Sequence, residues 1–299
     1  MSQSKVSSKS LNPRTEFNLG MFALGSGMFM VAQVIGILVG FLNLKLPEFA
    51  VTAPVSESIF GFLIAFLIAT TVLIVLIKFV KGSWLFRIML AALIFLGSEM
   101  VFSTFLPAWL GIALALILVG LRFLWPTIVL QNFSMTLAVA GIGASIGLLL
   151  PVEAVIVILV LLSVYDYIAV FKTKHMVKLF KNLFSRHVPL SLVVPGNLKD
   201  FKANVNDAFI GPGKGKVRKY MMLGTGDIAF PIIFAVSAVR QSLFSGISVL
   251  FGSFFGIVAV YFILLKCKKG AIPALPPIAI CTIAAYFLSK LIVWLPGVL

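Results

Sequence analysis

The chain has 299 residues, of which 61% are hydrophobic and 11% charged, with a formal net charge of +15. That is too little polar surface for a soluble domain of this size. The excess of base reads as positively charged loops in contact with anionic lipid, not as a nucleic-acid surface.

Residues 1–16 are polar and rich in Ser and Lys, and read as a disordered N-terminus. They lack the apolar core of a cleaved signal peptide, so the first apolar segment is expected to be a permanent span. Nine apolar segments follow, at about 18–42, 57–78, 84–105, 107–124, 127–149, 152–171, 219–240, 243–265 and 272–295. Each is close to the ~20 residues that cross a bilayer as a helix. Pro107, Pro126 and Pro151 punctuate the tight connections on either side of segments four and five. The organisation is thus six segments within 17–171, a long basic connection over 172–218, and three segments within 219–299. The expected fold is an all-α polytopic membrane protein with nine transmembrane helices, multi-pass in a cell membrane.

The basic residues alternate along this layout. Lys5, Lys9 and Arg14 precede segment one; Lys78, Lys81 and Arg87 lie between two and three; Arg122 lies between four and five. The 172–218 connection is densely basic, and Lys266, Lys268 and Lys269 lie between eight and nine. The other connections hold almost no base. By the positive-inside rule the N-terminus is cytoplasmic and the C-terminus outside. The long connection carries an apolar run, Pro189 to Pro195 (PLSLVVP), expected at the membrane surface. A loop of this length is either a tether or an element that contacts substrate.

Of nine carboxylates, Asp166 and Asp227 lie well inside segments six and seven. A charge there costs about 2.5–3.5 kcal/mol on insertion scales, so such residues are functional candidates. Segment six ends near Lys172 and segment seven starts near Lys219, which places the two acids ~9 and ~12 Å above one membrane edge. Consecutive helices are usually neighbours, so the carboxyls can face each other. Two carboxyls held close in a poorly solvated place do not both ionise easily: one keeps its proton while the other loses it. Such a pair can activate water and protonate an oxyanion. It can equally serve a proton relay or an ion-coupled transporter, and acid placement alone leaves the two readings level.

The surrounding residues separate them. Asp227 closes Gly224-Thr225-Gly226-Asp227, Asp166 follows Tyr165, and Pro273-Ala274-Leu275 opens segment nine. These three features, in this order and on these segments, resemble the presenilin and signal-peptide-peptidase family of GxGD intramembrane aspartyl proteases, and look most like its compact microbial members. The resemblance implies that Asp166 and Asp227 are catalytic, with water as nucleophile and neither metal nor cofactor. It implies that Gly224, Thr225, Gly226, Pro273, Ala274, Leu275 and Tyr165 border the site. Its substrates would be single-span membrane proteins with their N-terminus outside, cut within or near the span. Self-association stays open. A type IV prepilin peptidase would share the GxGD aspartate but leaves Tyr165-Asp166 and Pro273-Ala274-Leu275 unexplained.

Several neighbours fit that chemistry. Gly224 and Gly226 let a substrate backbone approach Asp227, the role being clearer for Gly226; for Gly224, easing of helix packing is an equal alternative. Pro231 offers no N–H to the carbonyl of residue 227, so segment seven is expected to kink or loosen there. Pro273, Pro276 and Pro277 make the start of segment nine irregular, leaving backbone groups that could pair with an extended substrate. Gln33, Glu99, Gln131 and Asn132 are expected to form interhelical hydrogen bonds. Cys267 and Cys281 have no histidine near them, too few ligands for a zinc site, and read as two buried thiols. His175 and His187 lie in the basic loop without metal-like spacing.

Overall fold

The structure, a computed structural model, describes residues 19–46, 54–79, 82–171, 190–205, 220–266 and 272–294. The polar N-terminus, most of the basic loop, both histidines and Cys267 lie outside these residues. Among the described residues there are nine helices: α1 (Leu19–Asn43), α2 (Val55–Phe79), α3 (Trp84–Phe105), α4 (Ala108–Leu124), α5 (Ile128–Leu149), α6 (Val152–Phe171), α7 (Thr225–Val239), α8 (Leu243–Lys266) and α9 (Leu275–Trp294). Seven are long and apolar enough to cross a membrane, while α4 and α7 are shorter apolar helices.

Local chemistry sets the breaks. Pro107 caps the start of α4, and Pro151 immediately precedes α6 and accepts the Val155 N–H through its carbonyl at 3.1 Å. Thr127 caps α5, its side chain accepting from the Leu130 N–H at 3.3 Å.

The helices are not equally enclosed. α5 is the most buried of the long helices, and α7 is buried at every residue from Pro231 to Val239. Within its best apolar window α2 buries nothing. Two apolar clusters meet at α7: one built on α1, α3, α5 and α7, the other mainly on α6, α7 and α9. At 15 residues α7 is shorter than a bilayer-spanning helix. Enclosed by other helices, it has no such length to match. Small residues allow the close packing that helices in lipid depend on. A Cβ on Gly147 of α5 would lie 2.7 Å from the Ile233 carbonyl of α7, and one on Gly256 of α8 would lie 2.6 Å from Ile278 Cα of α9.

One part of the chain departs from a helical bundle. Strand β1 (Ser191–Pro195) pairs antiparallel with β2 (Tyr220–Gly224), with Leu192 opposite Leu223 and Val193 opposite Met222. The described part of the run expected at the membrane surface thus holds a strand, Ser191–Pro195, buried at all five positions. Valines at 193 and 194 and a proline at the strand end suit that state. Likewise the seventh segment does not start as a helix at 219: residues 220–224 are extended, and the helix begins at Thr225.

A short 3₁₀ turn (Leu198–Lys202) follows β1. Behind it, Ala203 accepts the Ile128 N–H at 3.1 Å and Val205 donates to the Pro126 carbonyl at 2.7 Å, which ties the loop to the start of α5. Val193 and Val205 pack on Ile128 there. This apolar contact, with the ladder, holds residues 190–205 at the bundle end.

Candidate active site

Asp166 lies in the last two turns of α6 and is buried, at 6% exposure. Asp227 lies in the first turn of α7, where backbone N–H groups have no intrahelical acceptor. It is not eight residues into a helix, as a helical segment from 219 would make it. β2 ends three residues before it, so strand and helix meet at the glycine–threonine–glycine step. The two carboxyls come from the same end of neighbouring helices and lie within electrostatic range of each other.

Leu275 connects the third motif to the first. Leu275 opens α9, and its backbone N–H faces the Asp166 carboxyl. The next two positions are Pro276 and Pro277, which have no N–H, so Leu275 supplies the one donor among the first three residues of that helix. The Ala274 carbonyl is taken by the Ile278 N–H at 3.4 Å. The irregular start expected to leave backbone groups for a substrate therefore directs its donor at Asp166. Pro273, Ala274 and Leu275 are all buried. Asp166 Oδ2 is buried without a hydrogen-bond partner among the described residues.

The two glycines sit differently beside Asp227. A Cβ on Gly224 would lie 3.1 Å from Asp227 Oδ2 and 3.8 Å from its Cγ. On Gly226, an exposed residue, it would meet nothing nearer than the Phe230 ring at 4.0 Å. Gly224 thus adjoins the carboxyl itself. Thr225 Oγ1 donates to the Leu190 carbonyl at 3.5 Å, a long bond that links the step to the start of β1. Tyr165 is 44% exposed and meets Phe66 of α2 edge-on, ring centroids 6.0 Å apart. Next to Asp166 in sequence, it points to a different side of α6. Pro231 does not interrupt α7, which continues as a helix through it.

Four polar residues expected to bridge helices have more varied partners. Gln33 of α1 does bridge, donating to the Ile228 carbonyl of α7 at 3.1 Å, one residue beyond Asp227. Glu99 accepts from Ser103 within its own helix at 2.7 Å. Gln131 and Asn132 bridge helices, Gln131 accepting from Arg122 of α4 and Asn132 donating to Met28 Sδ of α1 at 3.6 Å, and both also reach the loop strand. Gln131 donates to the Ser191 carbonyl at 3.4 Å, while the Asn132 amide accepts from the Val193 N–H at 2.8 Å and donates to its carbonyl at 2.7 Å. Arg122, counted among the loop bases from sequence, is instead buried in the last turn of α4 and donates to Gln131 at 2.5 Å. Cys281, expected buried, is a half-buried free thiol on α9.

Apolar helices of this number and length, closing around α7, define an integral membrane protein. The sequence matches the signal-peptide peptidase, presenilin aspartyl protease family over residues 26–294, and the chain belongs to that family, as a presenilin-type intramembrane aspartyl protease. Two solved structures of a presenilin family intramembrane aspartate protease share its fold. The one in space group C222 is 21% identical, with a TM-score of 0.62, covering 91% of this chain and 98% of that one. The other, in space group P2, is 23% identical with a TM-score of 0.61, covering 91% and 97%. No curated protein sequence matches the chain.

Proposed function

We propose that Asp166 and Asp227 form the catalytic pair of a GxGD-type endopeptidase that hydrolyses peptide bonds within or near the membrane span of single-span proteins. The observation that carries this is the convergence of Asp166, Asp227 and the Leu275 N–H at one end of α6, α7 and α9. The pair shares one proton between two carboxyls. The ionised carboxylate takes a proton from water as its oxygen bonds to the scissile carbonyl carbon. The protonated carboxyl gives its proton to the carbonyl oxygen, leaving a neutral gem-diol. The C–N bond then breaks, the nitrogen takes the proton held by the first carboxyl, and the diol returns its own to the second. The products are an acid and an amine, and the pair is restored.

A transmembrane helix shields its own peptide bonds, so the substrate must be extended where it is cut. β2 supplies a template. Its pairing with β1 turns the backbone of Met222 outward, and those groups carry no hydrogen bond among the described residues. A substrate strand laid there would run towards Gly224, Thr225, Gly226 and Asp227. Pro273, Ala274 and Leu275 then hold Asp166 across from it, and Tyr165 faces α2 at the rim. The positive-inside pattern supports a cytoplasmic N-terminus, an external C-terminus and nine spans in the cell membrane, with both acids on the cytoplasmic side. A reporter-fusion map that inverts this order would overturn the topology.

The central test is cleavage of a single-span peptide by the purified protein in detergent, beside Asp166→Asn and Asp227→Asn. Product from the parent and none from either variant is the expected result. A parent inert on several such peptides, with proton or cation flux in liposomes that depends on both acids, would replace proteolysis with transport.

A further inference from the structure

We infer that Asn132 is a positioning residue of the proteolytic reaction: its carboxamide closes the outer edge of β1, so that a substrate strand can add only to β2 and in one register relative to Asp227. This rests on the protease reading above. A carboxamide carries both an acceptor and donors. At Asn132 they meet the N–H and the carbonyl of a single residue, Val193, at 2.8 and 2.7 Å, as a neighbouring strand would.

The ladder requires that match. Val193 stands opposite Met222, and its own N–H and carbonyl are spent on Asn132, so the two form a pair whose backbone groups point away from each other. Two residues earlier, Ser191 faces the same way, and its carbonyl accepts from Gln131. Arg122, itself buried, donates to Gln131 from behind. Consecutive side chains at the start of α5 therefore terminate the sheet on one side. An uncapped strand edge invites pairing; among the described residues the β2 edge is left for it.

The clamp also fixes a position. α5 is the most enclosed of the long helices. β1 is fixed to α5 by Asn132, β2 to β1 by the ladder, and Asp227 follows the end of β2 by three residues. A slip of one residue in a strand turns its side chains to the other face. Without Asn132, β1 loses its tie to α5 and β2 loses the support of a fixed partner, so a substrate strand on β2 is held less firmly against the aspartates.

The test uses the full chain in detergent and one single-span peptide. Parent, Asn132→Leu and Asn132→Ser are compared by kcat, KM, product masses and amide exchange over 190–195. In both variants kcat is expected to fall about tenfold with KM within about twofold, since displacement of a reacting group by a fraction of an ångström acts on the chemical step. Cuts at adjacent bonds should appear, and exchange over 190–195 should rise while α5 stays protected. A role in folding alone would lower the yield of active protein and leave the product masses as in the parent; that result overturns the inference. The parent supplies a second check that needs no variant: a Val193 amide exchanging as fast as an open strand edge overturns it as well. A parent that cuts no peptide removes the protease reading and this inference together, an outcome distinct from altered product masses.

Discussion

Replacing Gly224 with alanine isolates the geometry of one carboxyl. The backbone there has φ −64° and ψ 142°, which any residue adopts, so the substitution brings no backbone strain. The added methyl would lie 3.1 Å from Asp227 Oδ2, closer than ordinary contact, and the carboxyl must give way by a few tenths of an ångström. Turning an aspartate about 30° off its rotamer costs roughly 0.5–1.5 kcal/mol. If that cost falls on the reactive arrangement, kcat drops by about 2–12-fold. Gly→Ala at a compatible position also restricts the unfolded chain and stabilises by about 0.4–1 kcal/mol. The expected signature is therefore a protein that melts no lower than the parent yet cleaves several-fold more slowly. Gly226→Ala is the control, because its methyl approaches only the Phe230 ring, at 4.0 Å. Peptide cleavage under saturating substrate, with thermal unfolding in the same detergent, reads both quantities. Full kcat in Gly224→Ala, or a loss equal to that in Gly226→Ala, would refute the contact as the reason for glycine at 224.

Other substitutions test the supports around the pair. Leu275→Pro removes the N–H that faces Asp166 at a helix start where proline is otherwise tolerated; a hydrogen bond to a charged group is worth at most about 1.5–3 kcal/mol, so kcat should fall by up to about 10–150-fold, with helix content by circular dichroism unchanged. Gln33→Leu deletes the bond to the Ile228 carbonyl and should lower stability by about 1 kcal/mol, read as a lower melting temperature, together with a reduced kcat because the lost contact is one residue from Asp227. Pro231→Ala restores a donor for the Asp227 carbonyl and should raise the melting temperature while slowing cleavage; unchanged activity would show that freedom in this turn is not used. Tyr286→Phe cuts the 2.6 Å bond to Gln241 at the far end of α7 and should cost about 1 kcal/mol of stability with kcat intact.

Hydropathy made the helices legible because a bilayer fixes their length and proline fixes their ends. α3, α5 and α6 begin and end within about a residue of their apolar segments, with Pro126 and Pro151 immediately outside α5 and α6. The acids stood out as candidates for a related reason: a carboxyl in an apolar run is costly enough to need explanation. The Pro273-Ala274-Leu275 motif was readable, but its backbone role was not. An N–H turned towards a carboxyl leaves no trace in the side-chain identities, and only the two prolines that follow hint that one donor has been singled out.

The sheet was hidden because its parts look like other things. Tyr220 to Gly224 is an apolar run continuous with α7, so hydropathy extends the helix through it, although strand and helix differ about twofold in rise per residue. Its partner lies 25 or more residues earlier, within a stretch whose charge suggests a solvated loop. The residues that join them bridge helices as expected, Gln131 to Arg122 of α4 and Asn132 to Met28 of α1, but they also hold the strand, which hydropathy does not announce. A polar pair inside an apolar segment indicates buried hydrogen bonds without saying whether the partner is a helix or a strand. Arg122 carried the same ambiguity, since a base at a helix end reads as a loop charge until its burial against Gln131 is known. These errors share one cause: periodicity describes each segment against lipid, whereas the sheet exists through pairings between segments. The aspartate at 227 is intelligible only with that sheet in place, because the strand ends and the helix begins at the glycine step beside it. In this chain, the part of the bundle that is least helical is the part that brings Asp227 to Asp166.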